Sequence, residues 1–209
     1  MKTLKTWVAA AAMMALSGAA YATPVFQGRL ADGTASATCT VSGATKCAMF
    51  YNTTLDITIL NDWNIGKAFW SATAAAGSAQ ALAESAGDAQ TDFTGWFLPT
   101  GDGGSGAGAL NQYLSIWRDV GSSLVGLQAQ FDGVQSGPYY SGTATVAGVT
   151  SWTFHAGTGT QRGGRPGIAQ NAVAVRPGDV TASVPEPQTL ALALLALGAT
   201  VVARRRRSR

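Results

Sequence analysis

Two arginines in a glycine-rich stretch are the side chains of this sequence best suited to binding a ligand. Arg162 and Arg165 lie in the segment 159–166, GTQRGGRP. A guanidinium group can bind a carboxylate or sulfate group through two parallel hydrogen bonds. The pair is a candidate site for an acidic polysaccharide, but a solvated surface loop with no ligand is the favoured interpretation of the segment.

Residue types that would support catalysis are few and scattered. His155 is the only histidine, so a serine or cysteine nucleophile has one possible imidazole base, and no serine lies in a Gly-x-Ser-x-Gly motif. The pattern around His155 predicts a solvent-facing strand residue. The glycine run at 101–108 lacks the Gly-Lys-Ser/Thr ending of a nucleotide loop and predicts a surface loop. We expect no catalytic residue, no metal site and no cofactor.

The two cysteines predict a disulfide bond. Cys39 and Cys47 flank Ser42 and Gly43, which form a turn signal between two strand-like runs. A bond between them requires an oxidising compartment, and the first residues of the chain predict export to one. Residues 1–22 contain Lys2 and Lys5, an apolar stretch and an A-x-A pattern, so they predict a signal peptide cleaved after Ala22.

The other end of the chain predicts a sorting signal. Val184, Pro185, Glu186 and Pro187 precede an apolar run, which a group of arginines follows. The 14 apolar residues of 190–203 would extend about 21 Å as a helix, so we place a transmembrane helix at about 188–203. This arrangement resembles the PEP-CTERM sorting signal, which implies processing by an exosortase near the proline motif. A plain C-terminal membrane anchor is the alternative.

Removing both end segments changes the charge of the protein. The whole chain has a formal net charge of +3, but residues 23–183 contain seven Lys or Arg and ten Asp or Glu. The exported region is therefore mildly acidic, and the basic pI of the whole chain is no argument for nucleic-acid binding. We expect no nucleic-acid partner. About 160 residues suit one domain with one core, so we assign residues 23–183 to a single domain.

The apolar periodicity predicts a strand-rich α+β domain. Helices are expected at 65–86 and from Leu110 to about Gly121. Strands are expected at 25–30, 37–41, 47–51, 55–60, 127–131, 139–146, 149–155 and 171–175.

Residues 50 to 180 contain a series of short motifs in a fixed order. The motifs are YNTTLDITIL at 51–60, GWFLPT at 95–100, YYSGT at 139–143, WTF at 152–154 and AVAVRPGD at 172–179. In this order they resemble the family typified by the C-terminal domain of a bacterial collagen-like adhesin, the Lcl C-terminal-like family. The chain departs from that family at Phe97, where arginine is common, and at Ile59 and Tyr140, where tryptophan is common. The resemblance implies a fold related to C-type lectins, and it implies polysaccharide binding as in some members.

Arg176 belongs to the last of these motifs and stands beside Pro177 at the end of an expected core strand. We predict a structural role in which Arg176 pairs with a buried acid such as Asp56. Taken together, the sequence predicts a non-catalytic protein of the cell envelope, cell surface or extracellular matrix that associates with exopolysaccharide. An extracytoplasmic hydrolase of matrix glycans and a purely structural surface protein are the alternatives.

Overall fold

A computed structural model describes residues 25–103, 110–146, 149–165 and 167–180. Within these ranges the fold is α+β, as the periodicity predicts, with more residues in strands than in helices. The strands are β1 (Phe26–Arg29), β2 (Met49–Asn52), β3 (Ile57–Leu60), β4 (Lys67–Ala68), β5 (Pro138–Val146), β6 (Thr150–His155), β7 (Thr160–Gly163), β8 (Gln170–Asn171) and β9 (Val175–Pro177). The helices are α1 (Ala79–Gln90), α2 (Gln112–Asp119) and α3 (Leu124–Gln130).

The strands form two sheets. The first sheet is antiparallel with the order β1-β2-β3-β9, so the last strand of the described residues pairs with β3. The second sheet has the order β4-β8-β5-β6-β7 and ends in the β6–β7 hairpin. Strand β7 has a neighbour on one side only, which makes it an edge of the sheet.

Strand β3, in the interior of the first sheet, is buried along its whole length, because the sheet has apolar clusters on both faces. Ile57 and Ile59 belong to one cluster, and Leu60 belongs to the other. Successive side chains of a strand point to opposite faces. Trp63 lies in the first cluster with no exposed surface, and its ring stacks on Phe131 with centroids 4.9 Å apart. Each such aromatic side chain contributes about 2–3 kcal/mol through burial.

Helix α1 begins much later than the sequence predicts. The alanine spacing indicates a helix from residue 65, but residues 67–68 form β4, and Phe69 bridges Ser78. Gly77 has φ +79°, and the Ser78 hydroxyl accepts a hydrogen bond from the Ala81 amide as the N-cap. These two residues stop a helix from extending towards residue 65.

Three predicted strands are wrong. The segment 171–175 is not one strand, because Asn171 ends β8 in the second sheet and Val175 begins β9 in the first. The segment 127–131 belongs to helix α3 and its C-cap, because the Ser123 hydroxyl accepts from the Gly126 amide and starts a helix there. The segment 37–41 contains one isolated bridge, Thr40 to Lys46, because the disulfide loop closes on itself. The expected second helix is confirmed: α2 lies within the predicted range and the chain turns at Gly121, where φ is +86°.

An ion pair and hydrogen bonds connect the C-terminal end of the described domain to its first strand. The Arg29 Nε donates to Asp179 Oδ1 at 2.9 Å, and Nη2 donates to Oδ2 at 2.6 Å. The Gly178 amide donates to the Asp56 carbonyl, and Val180 is buried in the second apolar cluster. The fold is therefore held in place up to residue 180.

Candidate functional site

The glycine-rich segment that contains the two arginines is part of a β-hairpin. Strand β7 pairs with β6 in the register Thr153 to Arg162 and His155 to Thr160. The connecting turn is closed by the Gly159 amide, which donates to the His155 carbonyl at 2.8 Å, and Gly159 has φ +67°. The sequence predicts a loop here, and the structure shows a strand, because the turn brings residues 160–163 alongside β6.

The alternation of this hairpin separates packing side chains from candidate binding side chains. Phe154 faces the core, where its ring stacks on Tyr113 with centroids 5.0 Å apart. Gln161 faces the same way, and its Nε2 donates to Asn111 Oδ1. Because side chains alternate along a strand, Thr160 and Arg162 point to the opposite face. They meet there the side chains of Thr153 and His155, which share a cleft with them.

The cleft has a volume of about 460 Å³ and lies over this face of the second sheet. Its lining consists of two guanidinium groups, one imidazole, one amide, three hydroxyls and two small apolar positions: Arg162, Arg165, His155, Gln170, Thr153, Thr158, Thr160, Pro138 and Gly163. Among the described residues, the lining contains no Asp or Glu and no Phe, Tyr or Trp. Its charged groups are therefore all positive.

Both arginines of the cleft are available to a ligand. Arg162 and Arg165 are exposed, and the ion pairs found among the described residues, Arg29 with Asp179 and Lys46 with Asp132, involve neither of them. The exported region as a whole carries more acids than bases. Two unpaired cations in a concave surface concentrate positive potential there and attract anionic ligands.

The backbone beneath the arginines is held by hydrogen bonds to two neighbouring strands. The Thr153 hydroxyl donates to the Arg162 carbonyl at 3.1 Å. The buried Tyr140 hydroxyl donates its one proton to the Ile168 carbonyl at 2.6 Å and also lies 3.2 Å from the Arg165 carbonyl. Burial raises the pKa of Tyr140, and a hydrogen bond from the Gln170 side chain opposes that rise. The hydroxyl therefore stays protonated and continues to hold the loop at any physiological pH.

Gln170 has an unused hydrogen-bonding atom. Its side chain lines the cleft with 8% of its surface exposed, and its Oε1 is buried without a hydrogen-bond partner among the described residues. An unsatisfied buried acceptor costs about 1–3 kcal/mol. Because this atom has almost no accessible surface, the cost is borne within the fold, and the atom is not a contact point for a ligand.

His155 is half-buried in the cleft wall. The sequence predicts a solvent-facing strand residue and does not predict that His155 lies in a cleft. Its Nδ1 accepts a hydrogen bond from the Gly157 amide at 3.2 Å. A neutral imidazole that accepts at Nδ1 carries its proton on Nε2. His155 can therefore donate a hydrogen bond from Nε2. Its position on the same sheet face as Arg162 follows from the pairing of β7 with β6, which the sequence does not reveal.

The remaining predicted site residues lie elsewhere. Cys39 and Cys47 are joined by a disulfide with a Cα–Cα distance of 5.0 Å, far along the chain from the cleft. Arg176 does not pair with Asp56: its guanidinium lies over the Phe93 ring at 5.3 Å, and Asp56 accepts from the Tyr51 hydroxyl. The acid-base pair of this region is Arg29 with Asp179 instead, because Asp179 is the carboxylate that reaches a buried guanidinium.

The described residues contain no group of three or more His, Cys, Asp or Glu placed to hold a metal ion. None of the three helices in those residues combines the length and the apolar character of a membrane span. The signal peptide cleavage after Ala22, the proline motif at 184–187 and the expected helix at 188–203 lie outside the described residues.

Comparison with known families identifies the C-terminal segment. Residues 183–207 match the family described as PEP-CTERM protein-sorting motif. No curated protein and no solved structure matches the chain. The resemblance of residues 50 to 180 to the adhesin family, and with it the C-type lectin relation, therefore stays a prediction. The matched motif indicates an exported protein that an exosortase sorts to the cell envelope or surface.

Proposed function

We propose that this exported protein is a non-catalytic component of the cell surface or extracellular matrix that binds acidic exopolysaccharide. The observation that supports it is the cleft, in which Arg162 and Arg165 are exposed and unpaired with any described carboxylate. Each hydrogen bond from a guanidinium to a carboxylate or sulfate contributes about 1.5–3 kcal/mol. The resemblance of residues 50 to 180 to a family with polysaccharide-binding members agrees with this proposal.

The composition of the cleft favours binding over hydrolysis. Most glycosidases need two carboxyl groups at a set separation, one of them as a proton donor. The cleft lining supplies no Asp or Glu. A hydrolase of matrix glycans would need a site elsewhere on the protein, and we find no observation that favours one among the described residues.

The proposal needs a cleft that faces the outside of the inner membrane, and the sorting motif agrees with such a location. We propose that a signal peptidase removes residues 1–22 and that the exosortase removes the segment after the proline motif, whose apolar helix at about 188–203 holds the protein in the membrane until then. The folded domain of 23–183 would then remain outside the inner membrane.

The test is retention on an anionic polysaccharide. The full chain in detergent is passed over immobilised exopolysaccharide at low ionic strength, together with an Arg162→Ala, Arg165→Ala double variant. We expect the double variant to bind at least about tenfold more weakly. The matched control is Lys46→Ala, Lys67→Ala, which removes the same charge outside the cleft and should leave retention within about twofold. Equal losses in the two double variants would show attraction by net charge alone and would contradict the proposed site.

A further inference from the structure

We infer that Tyr140 is a positioning residue for the cleft: its buried hydroxyl holds Arg165 in place before a ligand arrives, and the affinity for an anionic ligand depends on that hydroxyl. This inference rests on the proposed function, because it needs the two arginines to bind the ligand. It adds a residue that does not touch the ligand, since Tyr140 is 1% exposed and is not part of the cleft lining.

The two arginines of the cleft are held in different ways. Arg162 belongs to strand β7, which pairs with β6, and its carbonyl accepts a hydrogen bond from the Thr153 hydroxyl at 3.1 Å. Arg165 lies two residues after the end of β7, in the segment that leads to β8. The pairing of the strands therefore fixes Arg162, whereas the position of Arg165 depends on what holds that segment.

The β7–β8 loop, which comprises residues 164–169, is not anchored by burial of the side chains around Arg165. Arg165 and Gly167 are exposed, and Ile168 leaves 46% of its surface exposed. Exposed side chains lose little apolar contact when their backbone moves. Among the described residues, the position of the loop must therefore come from hydrogen bonds to its backbone.

Such hydrogen bonds lie at both ends of the loop. At the start, the Thr150 hydroxyl donates to the Gly164 carbonyl at 2.6 Å. Towards the other end, the Tyr140 hydroxyl donates to the Ile168 carbonyl at 2.6 Å and lies 3.2 Å from the Arg165 carbonyl. One oxygen atom thus contacts two carbonyls that are three residues apart, and it fixes the part of the chain that carries Arg165.

The loop also passes close to the Tyr140 ring. A Cβ atom at Gly164 would lie 3.0 Å from Tyr140 Cε1 and 2.9 Å from the Ser151 carbonyl oxygen, and both distances are shorter than ordinary van der Waals contact. The chain can approach so closely only because residue 164 has no side chain. Tyr140 therefore supports the loop through its ring as well as through its hydroxyl.

A guanidinium group that is already held in place binds a ligand more tightly than a mobile one, because less ordering remains to be done on binding. Without the Tyr140 hydroxyl, the ordering of Arg165 would accompany ligand binding and weaken it about three- to tenfold. Arg162 is ordered by the pairing of β7 with β6 and gains nothing from this hydroxyl. The effect of Tyr140 is therefore confined to Arg165.

The experiment is calorimetric titration of the full chain in detergent at low ionic strength, with polygalacturonate as the carboxylate probe and dextran sulfate as the sulfate probe. We expect Tyr140→Phe to weaken the binding of either probe that the native chain binds about three- to tenfold. The control is Tyr139→Phe, which removes a buried hydroxyl from the neighbouring residue on the opposite face of β5. It should leave the affinity within about twofold.

Two arginine backgrounds separate positioning from a general loosening of the fold. In Arg165→Ala the further change Tyr140→Phe should alter the affinity by less than about twofold, because the group that Tyr140 positions is gone. In Arg162→Ala it should keep its full effect. Gly164→Ala, whose methyl group would push the loop off the Tyr140 ring, should show the same pattern. Equal weakening in the two backgrounds would indicate a merely structural role and would overturn the inference.

The outcomes also distinguish this inference from the proposed function. If the native chain binds a probe, and Tyr140→Phe and Gly164→Ala both stay within about twofold of it, the positioning role is wrong and the arginine site stands. If the native chain binds neither probe, the proposed function is wrong, and the positioning role falls with it.

Discussion

At the scale of single residues, the buried tyrosines make the fold sensitive to alkali. Burial raises the pKa of Tyr139 to about 12, against an ordinary value of 10.0, and Asp62 adds to the rise. Burial also holds the pKa of Tyr113 well above its usual range. The Tyr139 hydroxyl donates to the Trp63 carbonyl at 3.4 Å, so its protonated form is part of the packed core.

We predict that the free energy of unfolding falls as the pH rises from about 10 to about 12. Below the lower value Tyr139 is protonated in both states, and its contribution to stability is fully present. Above it the unfolded chain loses the Tyr139 proton first. The free energy of unfolding therefore falls by up to about 3 kcal/mol because of this residue. Urea denaturation at a series of pH values measures the loss.

The matched variant is Tyr139→Phe. It keeps the ring against Trp63, at a centroid distance of 5.4 Å, and removes the ionisable group. It should cost about 1 kcal/mol near neutral pH and flatten the alkaline slope. A slope as steep as that of the native protein would show that other groups cause the alkaline instability.

The candidate site shows how far single residues can be interpreted from sequence. Arg162 and Arg165 can be selected because guanidinium groups beside glycines are few in an acidic domain. His155 and Gln170 cannot be assigned to the same site, because their proximity depends on the hairpin register and on the pairing of β4 with β8. The hydrogen bond that orients the imidazole is likewise a product of the turn and leaves no trace in residue spacing.

At the scale of elements, an ion pair links β1 to the segment that follows β9, and β1 and β9 are the two outer strands of the first sheet. Arg29, at the end of β1, is only 3% exposed, and Asp179 lies just after β9. The pair spans nearly the whole domain in sequence. Breaking a buried ion pair leaves one charge without compensation in a medium that solvates it poorly.

We predict that Asp179→Ala lowers the free energy of unfolding by about 3 kcal/mol. The control is Asp132→Ala, which breaks the exposed pair with Lys46 at 3.4 Å and should cost less than about 1 kcal/mol. Urea denaturation midpoints compare the two. Similar losses in both variants would mean that the burial of Arg29 contributes little.

The elements that the sequence predicts correctly are those with strong local signals. Strands β2, β3, β5 and β6 follow apolar or β-branched runs, and α2 follows Leu110, Tyr113 and Leu114 with a turn at Gly121. The wrong predictions arise where a helix cap or a neighbouring strand determines the secondary structure. Ser123 starts a helix in a segment that could also form a strand, and β7 contains Gly163 and gains its structure from β6.

At the scale of the whole molecule, the C-terminal segment indicates where the domain functions. The sorting motif at 183–207 indicates handling by an exosortase. The disulfide between Cys39 and Cys47 suits an oxidising compartment outside the cytoplasm. Both features agree with a domain that folds after export.

We predict that the mature protein recovered from an exosortase-containing host begins at Thr23 and ends near Pro185. Intact mass analysis of the surface or medium fraction measures both ends at once. A Pro185→Ala, Pro187→Ala variant should keep the tail, since the extended segment before the apolar run would be lost. Finding Arg209 on the native extracellular protein would contradict processing.

The described fold extends to Val180, so only a short segment connects the domain to the expected membrane helix. This short connection limits the distance between the domain and the membrane before processing. Only residues 181–187 separate the domain from the helix expected at about 188, and eight residue steps extend at most about 29 Å. A domain of this length has a radius of gyration of about 15 Å. If the expected helix holds the unprocessed protein in the membrane, as proposed, the domain lies within about two such radii of the bilayer, and its cleft reaches only the layer next to the membrane. The proposed processing would then free the domain from the membrane and let the cleft reach ligands farther away.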